Sequence, residues 1–434
     1  MTAAPAKAEP FRDLVDESLD ESAFLWKRWE ADLQSLTRNL AEVVSWTEDR
    51  LQGALDGVRA GGSVVTEVLE PVLAGDDPAL LPVAAHLLAA KSAPSARTLL
   101  AATLRDASGP RLWSLLRGVE TADLDRSFAP VTAVLSSPGP EHSAALCRLK
   151  SFRRSAPGRE LNEAFESKVV AHQVEALRAA RYAPDELLGR CLSAGLKSAE
   201  PAVRRAAIET GLYRRLPHVW ELVLQLTRER SPAAAPFLPL VASLGSPEEQ
   251  QSVVGALREP RLQQPGLFAL GFIGTPEAVE TCLVGMRDPK LARMAGEAYS
   301  AITGANLVRD SLAAPEPEDA PSLPPIEEDA LDADLVPTAP ELWPLPDLDA
   351  VRAHWARIRS GYASGVRHLG GRPISLGVLV DTVEAGPMLR RPGLILEAAI
   401  RTGGQYDVEP RAFAHVQRRM MAAARGAVLQ SGPR

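Results

Sequence analysis

The feature that most constrains the fold of this chain is a near-repeat with a period of 29 residues. The stretch LGSPEEQQSVVGALREPRL begins at Leu244, and IGTPEAVETCLVGMRDPKL begins at Ile273. The two match in order at an aliphatic residue, Gly, Ser or Thr, Pro and Glu, and again at a closing Arg, acid and Pro. Self-similarity at a fixed period of about 20–50 residues indicates a protein of stacked repeats.

Each matched position has a predicted role at a helix boundary. Gly245 and Gly274 are expected where one helix ends, in a backbone conformation with positive φ. Ser246 and Thr275 are expected as N-caps of the next helix, and the proline after each suits the first helical position. The repeat unit is therefore predicted to be a helix, a short turn and a second helix.

Weaker copies of this unit cover residues 81–109, 172–200 and 201–232. Aromatic residues make up only 5% of the chain, so Ala and Leu must supply most of the buried surface. That composition favours closely packed helices over β-sandwiches. We therefore predict an all-α fold, a HEAT-like α-solenoid of at least four stacked helix pairs over residues 73–304.

Two segments beside the predicted array differ from it. Residues 1–72 are predicted to form a helical N-terminal cap, with one long helical pattern from Phe24 to Gly61. Residues 305–349 are predicted to be an acidic, Pro-rich linker. Within it, residues 311–349 hold nine Pro and eleven acidic residues but no Lys or Arg, a composition that cannot bury enough apolar surface to fold alone.

Residues 350–434 are predicted to form a small, Arg-rich helical C-terminal domain, entered by a helix that Asp347 caps and that continues to Leu369. This stretch holds thirteen Arg, no Lys and five acidic residues, a net charge of +8, and the rest of the chain carries −15. Because Arg makes planar contacts with carboxylates, we expect the tail to dock on the acidic linker or array, or to bind an external partner. The contacting residues that we expect are Arg352, Arg359, Arg390 and Arg391.

Two stretches carry a family resemblance. They are FLWKRWEADLQSLTRNLAEVVSWTEDRLQGALDGVRAGG, from Phe24, and LWPLPDLDAVRAHWARIRSGYASGVRHLGGRPI, from Leu342. With the repeats between them, most of the chain resembles an uncharacterised family of bacterial HEAT-repeat proteins that are often encoded near type VI secretion genes. The resemblance implies a fold of HEAT repeats and hints at a biological setting near type VI secretion. It implies no catalytic residue, because the shared motifs are structural.

The sequence contains none of the local motifs that would indicate catalysis. It has no HExxH, no CxxC, no Walker A loop, no GxGxxG after a strand and no GxSxG, and its seven His include no pair at i, i+4. Cys147, Cys191 and Cys282 lie far apart, which suits buried thiols in a reducing compartment better than disulfides. We therefore predict no catalytic residue, no cofactor and no metal site.

The remaining sequence features limit the possible cellular location and the possible partners of the protein. No apolar stretch reaches the roughly 18–20 residues needed to span a membrane, and the start lacks an apolar signal core, so a cytoplasmic protein is predicted. The predicted function is a non-catalytic protein–protein interaction scaffold whose protein partner is unidentified and whose oligomeric state is open. One alternative is a type VI secretion accessory protein, either effector-binding or an immunity protein.

A second alternative is a HEAT-like DNA-binding or glycosylase-type protein. Arg204 and Arg205 could contribute to a basic face for DNA or for a protein partner. However, the charge of −15 outside the tail opposes a groove that follows phosphates, so nucleic acid is disfavoured. A pocket of clustered acid, His or Trp side chains would favour the glycosylase reading, and a groove without one would exclude it.

Overall fold

The structure is a computed structural model that describes residues 12–62, 64–90, 94–122, 128–315 and 342–431. Regular structure in these residues is almost entirely helical, so the prediction of an all-α fold is confirmed. Residues 316–341, most of the predicted acidic linker, lie outside the described residues.

Contacts between Cα atoms divide the chain into two compact units. Unit 1 comprises Met1–Gln34, Leu40–Leu216 and Asp407–Arg434, and unit 2 comprises Ser35–Asn39 and Pro217–Tyr406. These units cross the predicted domain boundaries. The predicted array of residues 73–304 divides after Leu216, and the predicted C-terminal domain of residues 350–434 divides after Tyr406. Each unit is completed by a segment that is distant in sequence from most of it.

Unit 1 consists of helices in two rows. Its α-helices are α1 Arg12–Asp32, α2 Leu40–Val43, α3 Asp49–Ala60, α4 Val64–Ala74, α5 Leu80–Ala90, α6 Pro94–Asp106, α7 Gly109–Thr121, α8 Phe128–Leu135, α9 Pro140–Phe152, α10 Glu160–Phe165, α11 Val170–Ala179, α12 Asp185–Leu196 and α13 Pro201–Tyr213. A π-helix, Val44–Glu48, precedes α3, and a 3-10 turn, Ala180–Tyr182, follows α11. In one row α5, α7, α9, α11 and α13 each pack on the next, and in the other α4, α6 and α8 do so.

Unit 2 repeats this alternation. Its first helices are α14 Pro217–Arg228, α15 Leu238–Leu244, α16 Pro247–Ala256, α17 Gln263–Ile273, α18 Pro276–Gly285 and α19 Ala292–Thr303, with 3-10 turns at Pro232–Phe237 and Pro260–Leu262. Here α15, α17 and α19 pack in one row, and α14 packs on α16. After the undescribed gap come α20 Leu348–Ile358, a 3-10 turn Arg359–Gly361, the hairpin of β1 His368–Leu369 and β2 Arg372–Pro373, α21 Leu376–Ala385 and α22 Arg391–Thr402. The last helix of the chain, α23 Ala414–Ser431, belongs to unit 1.

The repeat boundaries form largely as predicted. Ser246 makes a capping box at the start of α16, and the Thr275 hydroxyl accepts a hydrogen bond from an N–H of α18. Gly274 has the predicted left-handed conformation, with φ of +69°. The prediction for Gly245 is wrong, because its φ is −71° and its backbone is extended. This glycine instead permits a close approach, since a Cβ there would lie 2.5 Å from the carbonyl oxygen of Val241.

A second recurring device relates two helix ends in unit 1. The triplets FRR, at Phe152, and YRR, at Tyr213, each close a helix. In both, the first arginine donates hydrogen bonds to carbonyl groups 33 and 31 residues before it. The second arginine, Arg154 or Arg215, has a left-handed φ of +54° or +55°. Equal offsets at two places indicate that successive helix pairs are joined by the same contact.

The long N-terminal helix predicted from Phe24 to Gly61 is interrupted. The chain leaves α1 after Asp32 and becomes helical again only at Leu40, and residues 35–39 lie in unit 2. Asp32 is buried and accepts a hydrogen bond from the hydroxyl of Thr47, so the break has a polar anchor. The apolar periodicity continues across the break because both α1 and α3 bury one face, and they pack on each other.

The predicted helix that enters the C-terminal region begins correctly and ends early. Asp347 accepts hydrogen bonds from two N–H groups of α20, so its role as N-cap is confirmed. The helix ends at Ile358 rather than continuing to Leu369, which lies in β1 and is buried. A 3-10 turn closed by glycine follows the helix and explains the early end, since Gly is a poor helix former.

Gly118 permits a close contact between two helices of unit 1. A Cβ at this position of α7 would lie 2.0 Å from the carbonyl oxygen of Pro82 on α5. Gly118→Ala is therefore expected to force α5 and α7 apart and to lower the free energy of unfolding by about 1–3 kcal/mol or more. Gly53→Ala is the control, because a Cβ there meets nothing within 4 Å and alanine should stabilise the exposed helix by about 0.5–1 kcal/mol. Urea unfolding of both variants measures the contrast, and equal effects would contradict the packing.

The three cysteines are free and buried, as their predicted role as small hydrophobes requires. Burial raises the pKa of Cys191 to about 11 and that of Cys282 to about 12, and it also raises the pKa of Cys147. Because the thiolate is the nucleophile, we expect none of them to react with iodoacetamide in the native protein at pH 8. Mass spectrometry should detect three adducts only after denaturation. A rapid adduct on the native chain would show that one helix pair opens.

Candidate functional site

The most elaborate polar site in the described residues lies in unit 1, where the chain returns after the whole of Pro217–Tyr406. Residues 407–413, which we call the return segment, form an irregular stretch between the boundary of unit 2 and α23. Side chains from several helices of unit 1 contact this segment. Val408, Glu409, Ala412 and Phe413 are buried there.

The first contact of the return segment is made by Asp407. Its carboxylate accepts hydrogen bonds from the hydroxyls of Tyr182, at 2.7 Å, and Tyr213, at 2.9 Å. Arg154 adds a guanidinium group at 3.3 Å. Burial, together with the neighbouring Asp407, raises the pKa of both tyrosines, so both remain hydrogen-bond donors. Two phenols and one guanidinium make this position specific for an acceptor group.

The second contact is made by Glu409, two residues further along. Its carboxylate lies 2.7 Å from Nη1 of Arg154 and 3.0 Å from Nε of Arg411. Burial opposes ionisation of Glu409, but the two guanidinium groups outweigh it and hold its pKa far below the usual range. Arg154 therefore bridges two acidic residues of the segment.

The third contact surrounds Arg411. Its carbonyl oxygen accepts a hydrogen bond of 2.8 Å from Arg117, and its guanidinium lies over the ring of Phe152. Glu120, which is buried, receives hydrogen bonds from Arg148 and Arg117. Burial opposes ionisation of Glu120, but Arg148, Arg411 and Arg117 lower its pKa. Around this carboxylate, the helices of unit 1 thus supply two cations and the return segment supplies one.

The fourth contact is aromatic. The ring of Phe413 stacks on Trp29, with centroids 4.4 Å apart, and meets Trp26 and His86 edge-on at 6.0 and 5.5 Å. Burial lowers the pKa of His86 to about 3, so this ring is neutral. Aromatic pairs of this geometry contribute about 0.5–1.5 kcal/mol each beyond the area that they bury.

The N-terminus of α23 is fixed next to this aromatic cluster. Glu48 ends the π-helix and accepts hydrogen bonds from the Trp29 indole at 3.0 Å and from the N–H of Ala414 at 2.8 Å. Burial raises the pKa of Glu48 to about 7, against the lowering effect of these donors and of Arg418. A carboxylate at a helix N-terminus is favourable, and π-helices occur frequently at functional sites.

The six arginines predicted to bind a partner lie in different environments. Arg390 and Arg391 are buried, so neither offers its side chain to an external partner in this structure. Arg390 pairs with Glu297 of α19, and Nε of Arg391 donates to the carbonyl oxygen of Val383. Within unit 2, Arg390 thus joins the Arg-rich stretch to an acidic residue of α19.

The other four predicted arginines are at least partly accessible. Arg352 lies 3.5 Å from Asp349 on the same helix, and Arg359 covers the ring of Trp355. Arg205 pairs with Glu209, and Arg204 lies one residue before it on α13. The structure does not bring these four together with Arg390 and Arg391 into one site.

Sequence reasoning missed the return segment and the residues that hold it. The available signal was the recurrence of FRR and YRR, whose aromatic and basic residues supply Phe152, Arg154 and Tyr213 to the site. The alternation of charged and aromatic residues in DVEPRAF was a second signal. Neither shows the periodicity typical of a helix face, so neither predicts a site from local pattern alone.

Unit 2 contains a separate cavity of about 810 Å³. Its wall includes residues of α19, Trp343, the β1–β2 hairpin and α21, and is mostly apolar. Four of the charged groups in the wall form two pairs, Arg390 with Glu297 and Arg372 with Asp381, and the fifth, Arg309, pairs with Asp310 outside the wall. The volume falls in the range of about 300–1,000 Å³ that is typical of small-molecule sites.

The described residues contain neither a candidate metal site nor a candidate membrane-spanning helix. No group of three or more His, Cys, Asp or Glu side chains in them is placed to hold a metal ion. Among the same residues, no helix combines the length and the apolarity needed to cross a membrane.

Comparison with known proteins identifies no family for this chain. No family model and no curated protein matches the chain. Among solved structures, the crystal structure of an engineered protein is similar to 65% of this chain and 87% of its own, at 15% sequence identity and a TM-score of 0.27. At that score the similarity supports no argument about fold or function.

Proposed function

We propose that this chain is a non-catalytic protein–protein interaction scaffold of HEAT-repeat type. The observation that supports the proposal is the return segment: unit 1 binds a stretch of irregular chain with side chains from helices far apart in sequence. An array of stacked helices provides such an extended surface without any particular catalytic chemistry. The helix rows and the recurring contacts at equal offsets also favour the repeat type.

The buried ionisable groups of the site are consistent with binding. Arg154, Glu409, Glu120 and Arg148 are all engaged in ion pairs with one another or with their neighbours. Opposite charges hold these carboxylates ionised, whereas a general acid or base works best with a pKa near the operating pH. For these four groups the arrangement therefore favours recognition over proton transfer. Glu48, whose pKa burial raises to about 7, is the exception, and the base-release assay below tests it.

The test is to purify the tagged full-length chain from its native host and to reconstitute each co-purifying complex from purified components. We expect one protein to form a complex of defined stoichiometry by native mass spectrometry. Substitution of exposed array residues should weaken it, whereas substitution of Arg309, an exposed residue of unit 2, serves as a control for surface charge. If no purified protein reconstitutes a complex, the proposal fails.

One observation favours the glycosylase-type alternative. Glu48, His86, Trp26 and Trp29 cluster in unit 1, which is the kind of pocket expected for that reading. However, the ring of Phe413 fills the space between them. An assay for base release from alkylated duplex DNA decides the question: we expect none, and release that is lost in Glu48→Gln would replace the scaffold proposal.

A further inference from the structure

We propose that the groove of unit 1 recognises peptide segments of the pattern Asp-x-Glu-x-Arg-x-aromatic, and that a partner protein supplies such a segment in place of the return segment. The inference rests on the proposed function and names the chemistry of the partner. The groove is the surface formed by Tyr213, Tyr182, Arg154, Phe152, Arg117 and Trp29.

Alternate residues of the return segment contact successive parts of the helix array. Asp407 reaches the end of α13, Glu409 and Asp407 share Arg154 after α9, and Phe413 reaches α1 and α5. The contacts progress from the last helices of unit 1 to the first as the segment proceeds. Two residues of chain span at most about 7 Å, so a repeat of side chains at i, i+2 advances steadily along a row of packed helices.

Three positions of the pattern have distinct chemical requirements. At Asp407, two tyrosine hydroxyls and one guanidinium require a group that accepts hydrogen bonds in several directions, which a carboxylate does and an amide does only with one oxygen. At Glu409, Arg154 requires a second carboxylate. At Phe413, Trp29 requires a flat ring.

The charge of the groove supports an acidic ligand. Within unit 1, Arg154 pairs with the two acidic residues of the return segment. Without the segment, the guanidinium of Arg154, whose side chain is 17% exposed with the segment in place, would lose both of these partners. A ligand that replaces the segment must therefore bring carboxylates at the same spacing.

The connection that leads into the return segment turns at two glycines. Gly403 and Gly404 both have positive φ, +64° and +84°, directly after α22. The segment itself is bound mainly through side chains, with backbone hydrogen bonds at the Arg411 carbonyl and the Ala414 N–H. In the intact chain a linked segment has an effective concentration of the order of mM, so a partner peptide must compete against it.

The experiment measures binding of a fluorescein-labelled peptide, QYDVEPRAFAHVQ, which is residues 405–417, to the full-length protein by fluorescence anisotropy. We expect weak binding to the wild-type protein and at least about tenfold tighter binding to Phe413→Ala, because this substitution weakens the competing segment and leaves the groove intact. A peptide with Asn and Gln in place of the two acidic residues should bind at least about tenfold more weakly to the same variant.

Phe272→Ala is the matched control, because it removes a buried phenylalanine from unit 2 and leaves the return segment unchanged. It should bind the peptide as weakly as the wild-type protein does. Circular dichroism and thermal unfolding verify that both variants are folded. If Phe413→Ala fails to fold, Glu409→Gln in the full-length chain serves as the second weakened variant.

The inference is overturned if a folded variant with a weakened segment does not bind the peptide, or if the amide peptide binds equally well. It is also overturned if the wild-type protein forms a dimer that exchanges return segments, since the occupant would then be a second copy. These results differ from failure of the proposed function. If a host complex is reconstituted but the peptide does not bind, only the recognition pattern is refuted. If the peptide binds but no host protein forms a complex, the scaffold proposal is refuted.

Discussion

Arg390→Met is expected to lower the free energy of unfolding by about 3–5 kcal/mol, because it leaves a buried carboxylate without its cation. The side chain of Arg390 is 1% exposed, and its Nε and Nη2 both bond the carboxylate of Glu297, which is 9% exposed. Two parallel hydrogen bonds fix the geometry of this pair. Methionine fills a similar volume, so the substitution removes the charge, the donors and the planar group rather than the bulk of the side chain.

The surroundings of Arg390 are specific for a guanidinium. Its central carbon lies 4.4 Å from the ring centroid of Phe268 and 4.9 Å from that of Phe272. Gly271 provides the space for it, since a Cβ there would lie 2.4 Å from Nη2. Stacking on two rings adds to the loss expected in Arg390→Met, because methionine contributes less at both.

Arg391→Met is the matched control, one residue further along. Arg391 is also buried, but it donates to the carbonyl of Val383, and no carboxylate in the described part of the chain accepts a hydrogen bond from it. Burial lowers the pKa of Arg391 to about 10, so its charge already opposes folding. We expect Arg391→Met to change the free energy of unfolding by no more than about 1 kcal/mol.

Urea unfolding at pH 7 measures both variants, and the double variant Arg390→Met/Glu297→Leu completes the comparison. Because the double variant removes both charges, we expect it to recover most of the loss. Similar losses in Arg390→Met and Arg391→Met would show that the size of the side chain matters and the ion pair does not.

The arginines illustrate what the sequence could predict and what it could not. Counting charges identified an Arg-rich C-terminal region, and Arg390 does meet an acidic residue of the array. Counting could not distinguish Arg390 from the accessible Arg352, since burial depends on Gly271 and the two phenylalanines of α17. Those residues lie about 120 positions earlier, beyond the reach of any local pattern.

Local rules predicted the repeat boundaries, whereas contacts between residues far apart in sequence determine how the C-terminal segments pack. The Ser246 and Thr275 caps followed from side chains that bond to N–H groups three residues away. The return segment depends on pairs such as Tyr182 and Asp407, which are 225 residues apart. A single sequence contains no periodic signal for such pairs, so the division of the tail after Tyr406 could not be predicted.

The wild-type protein is expected to become more stable, relative to Glu48→Gln, as the pH falls from 9 to 5. Burial raises the pKa of Glu48 from its usual 4.5 to about 7 in the folded state. The folded protein therefore holds a proton on Glu48 between these values, whereas the unfolded chain does not. Stability from this group rises as the pH falls through 7 towards 4.5, by on the order of 3 kcal/mol.

Comparison with Glu48→Gln isolates this contribution from opposing ones. His86 has a pKa lowered to about 3 by burial, so it reduces stability as the pH falls below the usual value of 6.5. Burial also lowers the pKa of His172 and His354, which act in the same direction. All three histidines are present in both proteins, so their effects cancel in the difference. Glu42→Gln, at an exposed glutamate nearby, is the control and should give a flat difference.

The measurement is urea unfolding followed by tryptophan fluorescence at each pH, and a difference independent of pH would contradict the role of Glu48. The result also bears on the return segment, because Glu48 accepts the N–H of Ala414 at the start of α23. Above pH 7 this site must hold a buried negative charge, which the Ala414 N–H, the Trp29 indole and the nearby Arg418 offset in part. We therefore expect hydrogen exchange at the start of α23 to accelerate, beyond its intrinsic pH dependence, between pH 6 and 8 in the wild-type protein and not in Glu48→Gln.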